Sequence, residues 1–153
     1  MKTKIQVLTM VICLITVSSC SKKSEDPAPE TPPASGSFTC NLSGTSWSAD
    51  SAVYINNGTQ TFIMAYKAGR MEFEINLSGI TATTYPVGSG SNDFIYWPTL
   101  TSFSGGSGGS VVISTYDNSA NQIIGTFGPT NTSGPGGTFS ITEGTFTKLP
   151  MRS

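Results

Sequence analysis

The chain has 153 residues, of which 11% are charged, with 17 Gly, 9 Pro, 3 Cys, no His and a formal net charge of −1. That charged fraction is less than half the ~25% usual for soluble globular chains, and the missing positive balance excludes the basic footprint of a nucleic-acid binder. The absence of histidine removes imidazole metal ligands, Ser-His-Asp and Cys-His nucleophile systems, and any switch built on ordinary His titration.

The first elements are addressing signals. Met1-Lys2-Thr3-Lys4 is cationic, residues 5–17 are largely apolar, and Ser18-Ser19 leads into Cys20. This pattern predicts a secretory signal peptide over residues 1–19, its apolar run being too short for a membrane helix of roughly 20 residues. Val17-Ser18-Ser19-Cys20 resembles the bacterial lipobox. The resemblance implies diacylation of the Cys20 sulfur, cleavage before Cys20 and acylation of the new amino terminus. Several acyl chains anchor stably where a single chain binds only marginally. Ser21 after the cysteine, rather than Asp, implies the outer membrane. Lys22-Lys23 stand before Glu25-Asp26, and the periplasmic and cell-surface faces both stay open. Residues 20–37 are rich in Pro, Ser and charge, which predicts a disordered linker between the acylated Cys20 and the domain.

From Phe38 onward no helical apolar stripe of useful length occurs. Phe38, Cys40 and Leu42 alternate with polar residues, so Cys40 reads as a buried small side chain; with Cys13 in the leader and Cys20 acylated, no internal disulfide is available. Residues 61–66 are apolar on both faces and suit a central strand. Residues 71–77 put Met71, Phe73, Ile75 and Leu77 on one face and Glu72, Glu74 and Asn76 on the other. Residues 110–116, 122–127 and 138–149 carry the Val, Ile, Thr and Phe of strands. Between them stand Asn56-Asn57-Gly58, Ala68-Gly69, Asp117-Asn118-Ser119 and Gly134-Pro135-Gly136-Gly137, all turn chemistry. Glu143-Gly144 interrupts the last run and predicts a bulge. Together these predict one all-β domain over residues 38–153, an antiparallel meander closed as a β-sandwich or flattened barrel. The expected core is Phe38, Cys40, Leu42, Trp47, Phe62, Met64, Phe73, Ile75, Leu77, Val112, Ile124, Phe127, Phe139, Ile141 and Phe146.

Phe38-Thr39-Cys40-Asn41-Leu42-Ser43-Gly44-Thr45-Ser46-Trp47-Ser48-Ala49 resembles the opening of an uncharacterised family of small Bacteroidota lipoproteins, a domain of unknown function. Gly109-Ser110-Val111-Val112-Ile113-Ser114-Thr115-Tyr116-Asp117 is similar to its central hairpin strand. Ile123-Ile124-Gly125-Thr126-Phe127 and Ile141-Thr142-Glu143-Gly144-Thr145-Phe146 are similar to its closing strands. The resemblance covers residues 38–149. It implies fold and location and assigns no chemistry.

Candidate sites are few. Glu72 and Glu74 share a strand face at ~7 Å, a spacing within reach of glycoside hydrolysis only if a cleft surrounds them. Asp93-Phe94-Ile95-Tyr96-Trp97-Pro98 concentrates aromatics. Exposed Tyr96 and Trp97 would stack on sugar rings while Asn92 and Asp93 held hydroxyls, with Tyr85 and Tyr116 nearby; alternatively the same aromatics cap the core. Gly105-Gly106-Ser107-Gly108-Gly109 lacks the pattern of a phosphate cradle and reads as a flexible hairpin loop. Asp117-Asn118-Ser119-Ala120-Asn121 lacks the spacing of a calcium loop and reads as a turn. Asp50-Ser51-Ala52 resembles a bacterial O-glycosylation acceptor, which marks Ser51. The sequence predicts no catalysis, no cofactor, no metal and no nucleic-acid partner. It predicts a binding or accessory module held to the membrane by its lipid anchor, with a glycan or an envelope protein as partner. An envelope protein would be met by strand addition to an exposed sheet edge.

Overall fold

A computed structural model describes residues 36–88 and 91–152. The signal peptide over residues 1–19, the acylation site Cys20 and the linker through residue 35 lie outside the described residues. The described chain contains twelve strands: β1 (Ser37–Leu42), β2 (Thr45–Ser48), β3 (Ser51–Asn56), β4 (Thr61–Lys67), β5 (Arg70–Leu77), β6 (Thr84–Pro86), β7 (Asp93–Tyr96), β8 (Ser104–Ser107), β9 (Ser110–Asp117), β10 (Gln122–Phe127), β11 (Thr130–Ser133) and β12 (Phe139–Pro150). No helix among them is long and apolar enough to cross a membrane.

Turn chemistry sets the hairpins. Ser43-Gly44 and Ala68-Gly69 take positive φ at both positions (50° and 86°, 50° and 74°), the geometry of tight hairpin turns, between β1 and β2 and between β4 and β5. Asp117 Oδ1 accepts from the amides of Ser119 and Ala120 at 2.9 Å and closes the β9–β10 turn.

The antiparallel strands follow the order β3-β4-β5-β7-β8-β11-β12-β10-β9-β6, with β1 on β12 and β2 on β1. The expected meander holds locally, over β3–β5, β7–β8 and β9–β10. It is interrupted where β6 crosses over to pair with β9 and where β1 joins the last strand. β12 is the hub. It pairs with β11 over residues 139–141, with β10 from Gly144 to Pro150 and with β1 from Ile141 to Thr147. The strands on either side of this hub pack face to face through aromatic rings. Phe73 on β5 meets Phe38 on β1 at 5.7 Å and Trp47 on β2 at 4.5 Å, and Phe94 on β7 meets Phe127 on β10 at 5.5 Å. A bridge between Tyr54 and Met151 ties edge strand β3 to the chain end. The result is an all-β sandwich-like fold around one core.

The expected bulge is present. Thr39 pairs with Thr145 and Asn41 with Thr142, which leaves Glu143-Gly144 opposite the single residue Cys40. Glu143 takes φ 55°, and a Cβ at Gly144 would lie 2.3 Å from the Phe127 ring. A second irregularity lies between the pairs Ile123–Leu149 and Gly125–Phe146, beside Lys148 at φ 51°.

Two expectations are corrected. Gly105 and Gly106 belong to strand β8 and not to a loop, since β8 fills the gap between β7 and β11. Gly106 permits the close approach there: an added Cβ would stand 2.9 Å from Phe94 Cβ. The core phase on three strands is also reversed. Ile63 and Ala65, Val111 and Ile113, and Ile123 are buried, where Phe62 and Met64, Val112 and Ile124 were expected. These strands are apolar on both faces, so period two alone leaves the phase open, and pairing settles it. Leu42 and Phe139 are half-buried against the core and not inside it.

Candidate functional site

The aromatic segment divides between core and surface. Asn92 precedes β7, Asp93 begins it, and Tyr96 ends it, roughly 10 Å beyond Asp93 at the usual strand rise. Asn92 is buried, and its Oδ1 accepts from the Ser78 amide at 2.8 Å. Asp93 Oδ1 accepts from Asn76 Nδ2 at 2.7 Å. Both polar candidates thus hold backbone and strand neighbours in place. Phe94 is fully buried, and Tyr96, only 8% exposed, stacks on Phe73 at 4.7 Å and meets Phe139 edge-on at 4.8 Å. Burial, with the nearby Glu72 carboxylate, pushes the Tyr96 phenol above its ordinary pKa. Tyr96 and Trp97 are therefore not exposed together, which removes the stacking platform read from the sequence; alternation along β7 turns Tyr96 inward.

The other aromatics do not join them. Tyr85, on β6, is buried and donates to the Thr81 carbonyl at 3.0 Å. Tyr116, half-buried near the end of β9, bonds to Asn118 Oδ1 at 2.9 Å. Ser51 is half-buried at the start of β3 and pairs with Tyr66, and Asp50 Oδ2 accepts from the Ala68 amide at 2.7 Å.

Glu72 and Glu74 do not converge on a cleft. The β4–β5 register shifts between Ala65–Phe73 and Tyr66–Met71, so Glu72 is the extra residue of a bulge. It is buried, accepts from Trp47 Nε1 at 3.0 Å and pairs with Arg70. Glu74 is half-buried in the row opposite Met64 and Ile95. Among the described residues no group of three or more His, Cys, Asp or Glu is placed to hold a metal ion. Cys40 is buried, and its thiol is pushed up to about 12 by that burial, against a smaller lowering from Lys67. Such a thiol is an inert filler at neutral pH.

What the structure assembles instead is the end of the fold beyond β7. The Trp97 amide donates to the Glu72 carbonyl at 2.8 Å, and Arg70 Nη1 donates to the Trp97 carbonyl at 3.2 Å. These bonds fix the start of a loop, residues 97–103. Trp97 packs on Phe103 at 5.3 Å, and its Nε1 is buried without a hydrogen-bond partner. Leu100 is 79% exposed and Phe103 44%. A cleft of about 220 Å³ opens among Arg70, Met71, Trp97, Thr99 and Leu100. Sequence reasoning found Trp97 and missed Leu100, Phe103 and Arg70. The available signal was two large apolar residues placed outside any period-two run, in a segment of Thr and Ser.

Sheet edges offer little for strand addition. β2 has four residues, β6 three including Pro86, and Met151 bridges β3.

No curated protein and no solved structure matches the chain. A family profile described as a domain of unknown function, DUF6252, matches residues 34–150. That span holds every described strand, and this chain belongs to the DUF6252 family of domains of unknown function.

Proposed function

We propose that this chain is a lipid-anchored outer-membrane protein whose β domain is a non-catalytic binding module, docking an envelope protein through residues 97–103. The carrying observation is the uncharged apolar loop, with Leu100 79% and Phe103 44% exposed beside Trp97. Contiguous exposed apolar surface, depleted of charge and containing aromatics, marks interaction sites. An aliphatic tip such as Leu100 suits a protein surface better than a sugar ring. Of its aromatics the glycan reading keeps only Trp97 beside the loop.

Two measurements test the parts separately. Radiolabelled palmitate is expected in the wild-type chain and absent from Cys20→Ala; an unlabelled wild type would reject the anchor. A photo-crosslinker placed at Thr101 in intact cells is expected to yield a discrete protein adduct that disappears in Leu100→Ser/Phe103→Ser. An adduct unchanged in that variant, or none at all, would reject the docking loop.

A further inference from the structure

We propose that the cleft at the start of the 97–103 loop receives a carboxylate displayed by the docked protein, held by Trp97 Nε1, the Arg70 guanidinium and the Thr99 hydroxyl. The chemistry rests on the cleft, and the identification of its bearer rests on the docking reading of residues 97–103. Among the described residues three buried side-chain atoms lack a hydrogen-bond partner: Tyr54 Oη, Asn76 Oδ1 and Trp97 Nε1. Trp97 alone of the three lines the cleft of about 220 Å³, with Arg70, Met71, Thr99 and Leu100. A buried N–H left unpaired is costly and rare in native folds.

The side chains around this indole explain both why it is unpaired and what would pair it. Glu72 accepts from Trp47 Nε1 at 3.0 Å and from Arg70 Nη2, so the other indole of the fold has its carboxylate. Trp97 has instead Arg70, which donates Nη1 to the Trp97 carbonyl at 3.2 Å, and Phe103, whose ring lies 5.3 Å away. A guanidinium and a phenyl ring offer no oxygen to an N–H. Among the described residues Arg70 uses two of its five donors, and its side chain is 27% exposed. Thr99 Oγ1 already accepts from the Ser102 amide at 3.1 Å, which leaves its O–H to donate. None of the side chains lining the cleft carries a negative charge. A second carboxylate would serve Trp97 and Arg70 as Glu72 serves Trp47 and Arg70. Its two oxygens, with about four lone pairs, suffice for all three donors, and its charge strengthens each bond. The cleft is smaller than the roughly 300–1,000 Å³ of small-molecule sites, which suits one side chain or chain terminus of a larger partner. Leu100 and Phe103, 79% and 44% exposed, turn aside as that partner docks and admit the carboxylate to the indole.

The test is an NMR titration of the isotope-labelled full chain in non-ionic detergent micelles, following the indole N–H signals, which Trp97→Phe tells apart. Nα-acetyl-glutamic acid amide carries a side-chain carboxylate and Nα-acetyl-leucine a chain-terminal one; Nα-acetyl-glutamine amide and Nα-acetyl-leucine amide are their uncharged counterparts. The Trp97 indole proton is expected to move downfield, saturably, with a carboxylate probe, as an N–H does on gaining an acceptor. The tighter of the two carboxylates names the source, an acidic side chain or a chain end. Its uncharged counterpart is expected to bind at least about tenfold more weakly, as is the same probe on Trp97→Phe, read at the Thr99 and Leu100 amides. An unmoved Trp97 indole signal, an uncharged counterpart that binds as tightly, or undiminished binding to Trp97→Phe would each overturn the proposal. The titration contains no partner protein, so its outcome is independent of the Thr101 adduct. An adduct without these shifts removes the carboxylate and keeps the docking loop; shifts without an adduct keep the carboxylate site and remove the docked protein as its bearer.

Discussion

At the scale of single residues, the strongest constraints come from atoms that have no room to change. A Cβ at Gly144 would stand 2.3 Å from the Phe127 ring, and the backbone around it is pinned between β1 and β10. Gly144→Val is expected to cost about 3 kcal/mol, a Tm drop of roughly 10 °C in a thermal melt. Glu72 is the one buried carboxylate among the described residues, and it satisfies Trp47 Nε1 and Arg70 at once. Removing it strands a buried indole donor and an unpaired guanidinium. Glu72→Ala is expected to lose about 2–3 kcal/mol in urea unfolding, with Glu72→Gln recovering part because an acceptor remains. Cys40 makes a pH prediction. Its folded pKa of about 12 stands above the ordinary 9.0, so between those values the unfolded chain releases a proton that the folded chain keeps. Its contribution is complete below pH 9 and declines by at most about 1.4 kcal/mol per pH unit as pH rises toward 12. Comparison of the wild type with Cys40→Ala across pH 8–11 checks this; parallel curves would refute it.

At the scale of elements, legibility followed the pattern of polar residues. β5 was readable because Glu74 and Asn76 alternate with Phe73, Ile75 and Leu77, which are all buried as expected. β4, β9 and β10 were readable as strands but not in phase, because adjacent pairs such as Val111-Val112 and Ile123-Ile124 look alike from both sides. One inconsistency was visible in advance: Ile124 and Phe127 differ by an odd number and cannot share a face of a regular strand. The same parity rule applied to Ile141, Phe146 and Leu149, all buried, requires two irregularities in β12, and two exist. β8 was illegible, since Ser-Gly-Gly-Ser carries neither β-branching nor apolar period; its neighbours impose its conformation. That strand supplies a paired prediction. Gly105 has nothing within 4 Å of an added Cβ, whereas Gly106 has Phe94 at 2.9 Å. Gly105→Ala is expected to be neutral within about 0.5 kcal/mol, and Gly106→Ala to cost about 1–3 kcal/mol. Equal melting temperatures for the two variants would show that β7 and β8 are not packed as described.

For the whole molecule, membership of the fold class was legible because turn residues recur at short spacing and no helical stripe competes with them. The binding surface was half legible. Trp97 drew attention as an aromatic, but its partners Leu100 and Phe103 became significant only when the fold left them outside the core. Local pattern reports which side chains a strand buries; it does not report which loop apolar groups find no room inside. The same separation explains why Asn92 and Tyr85, polar or amphipathic in sequence, serve as internal fasteners.

The pairing of β1 with β12 also dictates timing. Phe38 lies opposite Phe146, so strand β1 lacks its principal neighbour until β12 exists. β10 and β11 depend on the same closing strand for one of their edges. A polypeptide released from its amino end would hold a sheet with a vacant centre until β12, Phe139–Pro150, emerged. Contacts so distant in sequence make slow, all-or-none assembly the rule. Chains ending at Thr138 are expected to stay protease-sensitive and to lack a cooperative melt, while chains extended through Met151 acquire both resistance and cooperativity together. Chains that lack β12 therefore stay unfolded, however many of the preceding strands they hold.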